Sequence, residues 1–138
     1  GVSSSSEGPC LILIGDVAAV HDIAGLVAAG RLQSDVVIVV IDNGGGAIFS
    51  FLPVANEIDN DSFEDLFTTP HHTNLVDVAS SVGIQSEVIE SSPDIEKLLV
   101  RAFESEGPSL FLCNTSVEET VKAYKDIRAG FRASFREG

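Results

Sequence analysis

Methionine is absent from all 138 residues, position 1 included. A translated product would begin with it, so the chain is expected to be a fragment or a processed form of a longer protein. Cations are scarce as well: eight Lys and Arg stand against 21 Asp and Glu, for a formal net charge of −13. Neutralising nucleic-acid phosphates needs clustered Lys and Arg, so a nucleic-acid partner is excluded. No apolar run approaches the roughly 20 residues that cross a bilayer, and the start lacks the basic-then-apolar order of a signal peptide. No membrane association is expected, and the location expected is cytoplasmic. Cysteine is limited to Cys10 and Cys113, which fall in predicted strands without metal-ligand spacing and read as ordinary buried thiols. Residues 1–9, rich in Ser and Gly, read as a flexible leader or a cut end.

What is present is a core-forming composition, 44% hydrophobic, in one domain's length of chain over residues 10–138. The apolar run Cys10 to Ile14 is too short for a helix and predicts a strand buried on both faces. A modest helix is predicted over 22–32, with Asp22 as a cap and Gly30 falling out of the apolar pattern. Val36 to Asp42 is the strongest strand. Residues 44–73 are irregular and long for a connection, as functional loops are, with a short helix over Ser62 to Phe67 stopped by Pro70. A helix over 75–82 ends at Gly83, and a short strand covers Ser86 to Ile89. Ser92-Pro93 opens a helix with Ile95, Leu98, Leu99, Ala102 and Phe103 as its buried stripe. Leu110 to Cys113 is a fourth strand. Ser116 and Glu119 form a capping-box pattern for a last helix that buries Val117, Val121, Tyr124, Ile127, Phe131 and Phe135. Four strands alternating with helices predict an α/β fold: an open parallel sheet with helices on both faces and right-handed crossovers.

Ligands of such sheets sit at the carboxyl ends of the strands. Two strands end there on suggestive residues: Gly15-Asp16 closes the first, and Asp42-Asn43-Gly44-Gly45-Gly46 closes the second. Neighbouring strands lie about 4.8 Å apart, so Asp16 and Asn43 could share one cation. A carboxylate, an amide oxygen and a backbone carbonyl are hard ligands suited to Mg²⁺, with positions left for phosphate oxygens. Glycines at 15, 44, 45 and 46 would let the backbone approach a diphosphate. On pattern alone the same residues read equally as turns.

Gly15-Asp16 followed after 26 residues by Asn43 resembles the bipartite cofactor motif of thiamine-diphosphate-dependent enzymes. The strings Gly15 to Asp22, Asp42 to Pro53 and Phe63 to His71 are similar to one subfamily, the synthases of menaquinone biosynthesis. The resemblance implies the diphosphate-binding domain of that fold, truncated at its N-terminal side. It implies that Asp16 and Asn43 bind Mg²⁺ through side chains and Gly45 through its carbonyl. It further implies that Gly15 and Val17 lie against the diphosphate, and that Ile48, Phe49 and Leu52 line the pocket beside the thiazolium. Val17 stands where the general motif has a third glycine, and Asp42 where an Asn is common; Asp42 is expected to orient the loop, with a ligand role if it faces the cation. The implied reaction decarboxylates 2-oxoglutarate and adds the succinyl unit to isochorismate. Its catalytic Glu belongs to a pyrimidine-binding domain, normally of a partner subunit, which this chain does not carry. No catalytic residue is therefore assigned here, the isolated chain is expected to be inactive, and a homo-oligomer is expected. Arg31, Arg101, Arg128, Arg132 and Arg136, which polyanionic substrates would require, all lie outside the motifs. Another thiamine-diphosphate enzyme, of acetolactate synthase or 2-oxoacid decarboxylase type, and a non-catalytic α/β binding domain remain open.

Other polar residues have plainer readings. His21, at a helix start, reads as structural or exposed. His71 and His72 lack the partners a zinc site needs, and His71 is expected to anchor the loop. The acidic run Glu57 to Asp65 reads as a solvated face. Phe49 and Phe51, two apart, would point the same way in extended chain, toward either core or pocket.

Overall fold

The computed structural model of the chain describes residue 5 and residues 8–89 and 92–134. Most of the expected leader, the side chain of Ser92 and the contact expected of Phe135 lie outside what is described. Two units divide the chain, Gly1–Asp42 with His72–Asn114 and Asn43–His71 with Thr115–Gly138.

The first unit is a four-stranded parallel sheet. Its strands are β1 (Cys10–Gly15), β2 (Val36–Asp42), β3 (Gln85–Val88) and β4 (Ser109–Asn114), in the order β1-β2-β4-β3. Helices α1 (Asp16–His21), α2 (Ile23–Leu32), α4 (Leu75–Ser81) and α5 (Ser92–Glu104) connect or flank them. β2 alternates between two apolar layers. Val36, Ile38 and Val40 pack with Ala19, Leu26, Leu75 and Ala79, whereas Val37 and Val39 pack with Ala102 and Phe111 on the other face. Helices therefore cover both faces, as the alternation of β-branched runs with helical stripes predicts. Gly15, Ile41 and Cys113 share one row of the register, so the carboxyl ends of three strands align.

Several sequence expectations are corrected within this unit. β1 was expected to be buried on both faces, yet Leu11, Ile12 and Leu13 are exposed, Leu13 to 71%. Among the described residues β1 is the edge of the sheet, paired with β2 alone, and no helix there covers its outer side chains. The helix over 22–32 forms as α2, and a further helix that the sequence did not predict, α1, precedes it. α1 begins at Asp16 itself, and Asp22 separates it from α2 without giving a side-chain cap. A side chain on Gly25 would press on the Asp22 carboxylate at 2.8 Å. Phe103 is exposed rather than part of the α5 stripe, which Ile95, Leu98, Leu99 and Ala102 carry. Gly30 is no lapse in the α2 pattern: a Cβ there would collide with the Val82 carbonyl, so the glycine sets how closely α2 approaches the end of α4.

The second unit holds two 3₁₀ turns, Ala47–Phe51 and Pro53–Asn56, then α3 (Asn60–Phe63), a π-type turn Glu64–Thr68, and the long helix α6 (Val117–Ser134). Asp59 caps α3, accepting from the Ser62 amide at 2.9 Å and the Ser62 hydroxyl at 2.8 Å. These bonds hold its carboxyl below the usual range. The acids of the 57–65 run are all exposed, as a solvated face requires. The capping box at the start of α6 forms in both directions: the Glu119 amide donates to Ser116 Oγ, and the Ser116 amide to Glu119 Oε2, each at 3.1 Å. Two expectations fail. Phe49 and Phe51 lie in a 3₁₀ turn, so the period-2 argument for extended chain does not apply. Tyr124, Ile127 and Phe131 of α6 are 49%, 70% and 65% exposed, because apart from the Phe51–Tyr124 ring contact at 4.7 Å little of this unit covers that stripe.

Gly30→Ala is expected to lower stability by about 1–3 kcal/mol through overpacking against Val82. Gly130→Ala, in α6 where a Cβ meets nothing within 4 Å, should instead be neutral or stabilising by up to about 1 kcal/mol. Urea denaturation of both variants checks the contrast.

Candidate functional site

Asp16 is the most deeply buried acid described, 3% exposed, and it stands where β1 turns directly into α1. Its Oδ1 accepts the amide of Val17 at 2.8 Å, so the Val17 N–H expected to face a diphosphate is engaged locally here. At Gly15 a Cβ would meet nothing within 4 Å, leaving open space beside the strand end. One carboxylate oxygen of Asp42 lies within 4.8 Å of one of Asp16. Two carboxylates this close, one of them withdrawn from water, form a donor pair of the kind that suits a cation. Cys10 and Cys113 are half-buried rather than buried as expected, and partial burial pushes the Cys113 thiol up, which makes it a poor nucleophile.

Within the second unit, Asn43 holds a buried Oδ1 with no hydrogen-bond partner among the described residues. A buried acceptor left unpaired costs about 1–3 kcal/mol, which a bound cation or donor would recover. Gly44 and Gly45 have φ of +82° and +124°, values that favour glycine. The Gly45 carbonyl accepts the Ala47 amide at 2.8 Å. The Gly46 amide donates to the Thr68 carbonyl at 2.7 Å.

The glycines serve different purposes, which the motif alone did not separate. A Cβ on Gly45 would strike the Thr68 carbonyl. One on Gly46 would meet the Phe67 carbonyl at 2.8 Å and the Phe49 ring at 2.9 Å. These two are glycine because the 64–70 segment packs on them. Of the four motif glycines, Gly15 and Gly44 have nothing within 4 Å of the Cβ position. Ile48, Phe49 and Leu52 are 71%, 37% and 45% exposed, an apolar surface of the kind a pocket wall presents. Phe49 meets Phe67 edge-on at 5.9 Å, and Phe67 stacks on Phe63 at 5.3 Å. Arg128 and Lys125 of α6 join Phe51 to Pro53 in lining a groove of about 430 Å³. The arginine that lies outside the motif in sequence is thus beside it in space, a proximity across more than 70 residues that no local pattern signals. His71 is half-buried and His72 exposed.

The first unit, a parallel sheet with helices on both faces and a buried Asp where its first strand ends, defines an open α/β domain. Residues 1–113 match the family model of the thiamine pyrophosphate enzyme C-terminal TPP-binding domain, and the chain belongs to this family. It is similar to the 2-succinyl-5-enolpyruvyl-6-hydroxy-3-cyclohexene-1-carboxylate synthase of Chlorobium limicola. The two are 33% identical over 96% of this chain and 22% of that protein. The synthase of the same name from Myxococcus xanthus is 30% identical over the whole chain and 23% of its own length. The resemblance drawn from the motifs is borne out by these relatives. The chain spans only about a fifth of their length. Among solved structures, the thiamine diphosphate-dependent 4-hydroxybenzoylformate decarboxylase of Rhodococcus jostii RHA1 shares the fold. Its TM-score is 0.68 at 23% identity, covering 83% of this chain and 21% of that one. Benzoylformate decarboxylase of Polynucleobacter necessarius aligns with a TM-score of 0.69 at 17% identity, over 84% of this chain and 21% of its own.

The packed Gly45 and the open Gly44 separate by substitution. Gly45→Ala should cost about 3 kcal/mol, combining strain at positive φ with the clash on Thr68. Gly44→Asn should cost about 1 kcal/mol, since Asn tolerates positive φ and the space is clear. Thermal or urea unfolding of each variant decides it, and equal losses would refute the packing role given to Gly45.

Proposed function

We propose that this chain is the cofactor-binding portion of a thiamine-diphosphate-dependent synthase of menaquinone biosynthesis. That enzyme decarboxylates 2-oxoglutarate and adds the succinyl unit to isochorismate. The observation that carries the cofactor reading is Asn43 Oδ1, a buried acceptor without a partner at the motif position where the family binds Mg²⁺. Asp16, buried beside a second carboxylate, fits the same cation by charge. In this reading Asp16 and Asn43 hold Mg²⁺ through side-chain oxygens and Gly45 through its carbonyl. Gly15 and Val17 offer backbone to the diphosphate, with the Val17 amide exchanging its bond to Asp16 Oδ1 for one to phosphate. Ile48, Phe49 and Leu52 form an apolar wall beside the thiazolium and keep water from the reacting face. Bound thiamine diphosphate supplies the carbanion chemistry, and the protein supplies position and electrostatics. The Glu that activates the cofactor comes from a pyrimidine-binding domain, so this chain by itself turns over no substrate, and the working enzyme is a cytoplasmic homo-oligomer. The Ile48 to Pro53 string favours this synthase over acetolactate synthase or 2-oxoacid decarboxylase types.

Calorimetric titration tests the cofactor site. The chain should bind thiamine diphosphate only with Mg²⁺ present, and Asp16→Ala or Asn43→Ala should weaken that binding by at least about tenfold. Unchanged affinity in Asp16→Ala would favour a non-catalytic α/β domain. Release of labelled CO₂ from 2-oxoglutarate, dependent on isochorismate and on a supplied pyrimidine-binding domain, tests the substrates. Turnover of pyruvate or benzoylformate in its place would overturn the synthase reading.

A further inference from the structure

We propose that Asp42 is a second anionic group of the cation site, so that this chain takes up a divalent cation by itself, ahead of the diphosphate. The inference rests on the cofactor reading above and concerns the residue at which this sequence departs from the family pattern. Where an uncharged Asn is common, Asp42 places a carboxylate oxygen within 4.8 Å of the Asp16 carboxylate. It ends β2 on the register row of Asn114, at the carboxyl edge of the sheet. Asp16 is 3% exposed, so its carboxylate is withdrawn from solvent. The next residue in the chain, Asn43, separately holds a buried amide oxygen without a hydrogen-bond partner among the described residues. With one carboxylate, much of the charge that attracts a divalent cation must come from the diphosphate. With two, the protein side alone matches the charge of the ion, and hard oxygen ligands suit Mg²⁺ and Mn²⁺ alike. The order of binding then changes: cation first, diphosphate onto the bound cation.

Electron paramagnetic resonance of free Mn²⁺ reads cation binding directly, without any activity. The full chain is titrated with Mn²⁺ in the presence and absence of thiamine diphosphate, as wild type, Asp42→Asn and Asp16→Asn. Both changes are nearly isosteric, and far-UV circular dichroism confirms folding. Wild type should deplete the free Mn²⁺ signal without cofactor. Asp42→Asn should weaken Mn²⁺ binding about tenfold in the absence of thiamine diphosphate and less than about threefold in its presence. Asp16→Asn should weaken both. Equal Mn²⁺ affinity of Asp42→Asn and wild type without cofactor overturns the proposal, as does wild type that binds Mn²⁺ only with cofactor; either result leaves the cofactor reading standing. Wild type that binds no Mn²⁺ under either condition overturns both.

Discussion

β2 is the constraint on which the first unit depends. It pairs with β1 on one side and β4 on the other, and its side chains alternate into two separate apolar layers, with Val40 fully buried in one and Val37 1% exposed in the other. Each such side chain contributes about 1.5–3 kcal/mol relative to exposure. A one-residue slip would exchange the two layers, so the register is tightly held. That register decides where β1 and β2 end relative to one another, and hence where Asp16 and Asp42 stand. The chemistry at the carboxyl edge is therefore positioned by apolar packing well below it.

Local structure at the strand ends runs against stability. Asp16 is an acid buried beside another acid, Asn43 keeps a carbonyl oxygen unpaired, and two consecutive glycines hold positive φ. Each feature costs free energy in the chain alone, and such violations cluster where a ligand completes the arrangement. The compensation is visible nearby. The 64–70 segment clamps the triglycine through the Thr68 carbonyl, and the Phe49, Phe63 and Phe67 rings pack behind it.

Apolar surface also remains in water. Leu11 and Leu13 of the edge strand and Ile127 and Phe131 of α6 are each about half exposed or more, and the β1 edge carries neither proline nor charge to protect it. These are the failed burial expectations: hydrophobic periodicity identifies the face that wants cover, and only the assembled structure tells whether this chain provides it.

By itself, the sequence determined the four strands and the longer helices in their order, though not α1 or the 3₁₀ turns. Continuous β-branched runs, helical stripes, the Ser116–Glu119 box and the punctuating glycines are local signals, written in neighbouring residues. It also determined the cofactor motif, because the Gly15-Asp16 and Asn43 spacing and the Ile48 to Pro53 string are linear patterns. Tertiary structure alone decided the rest. That Gly30 yields to Val82, that Gly45 and Gly46 yield to Thr68 and Phe67, that Asp42 approaches Asp16, and that Arg128 lines a groove with Leu52 are contacts between residues distant in sequence. Glycine looks the same in a sequence whether it clears room for a ligand or for a carbonyl. The difference lies in what occupies the space where its side chain would have been.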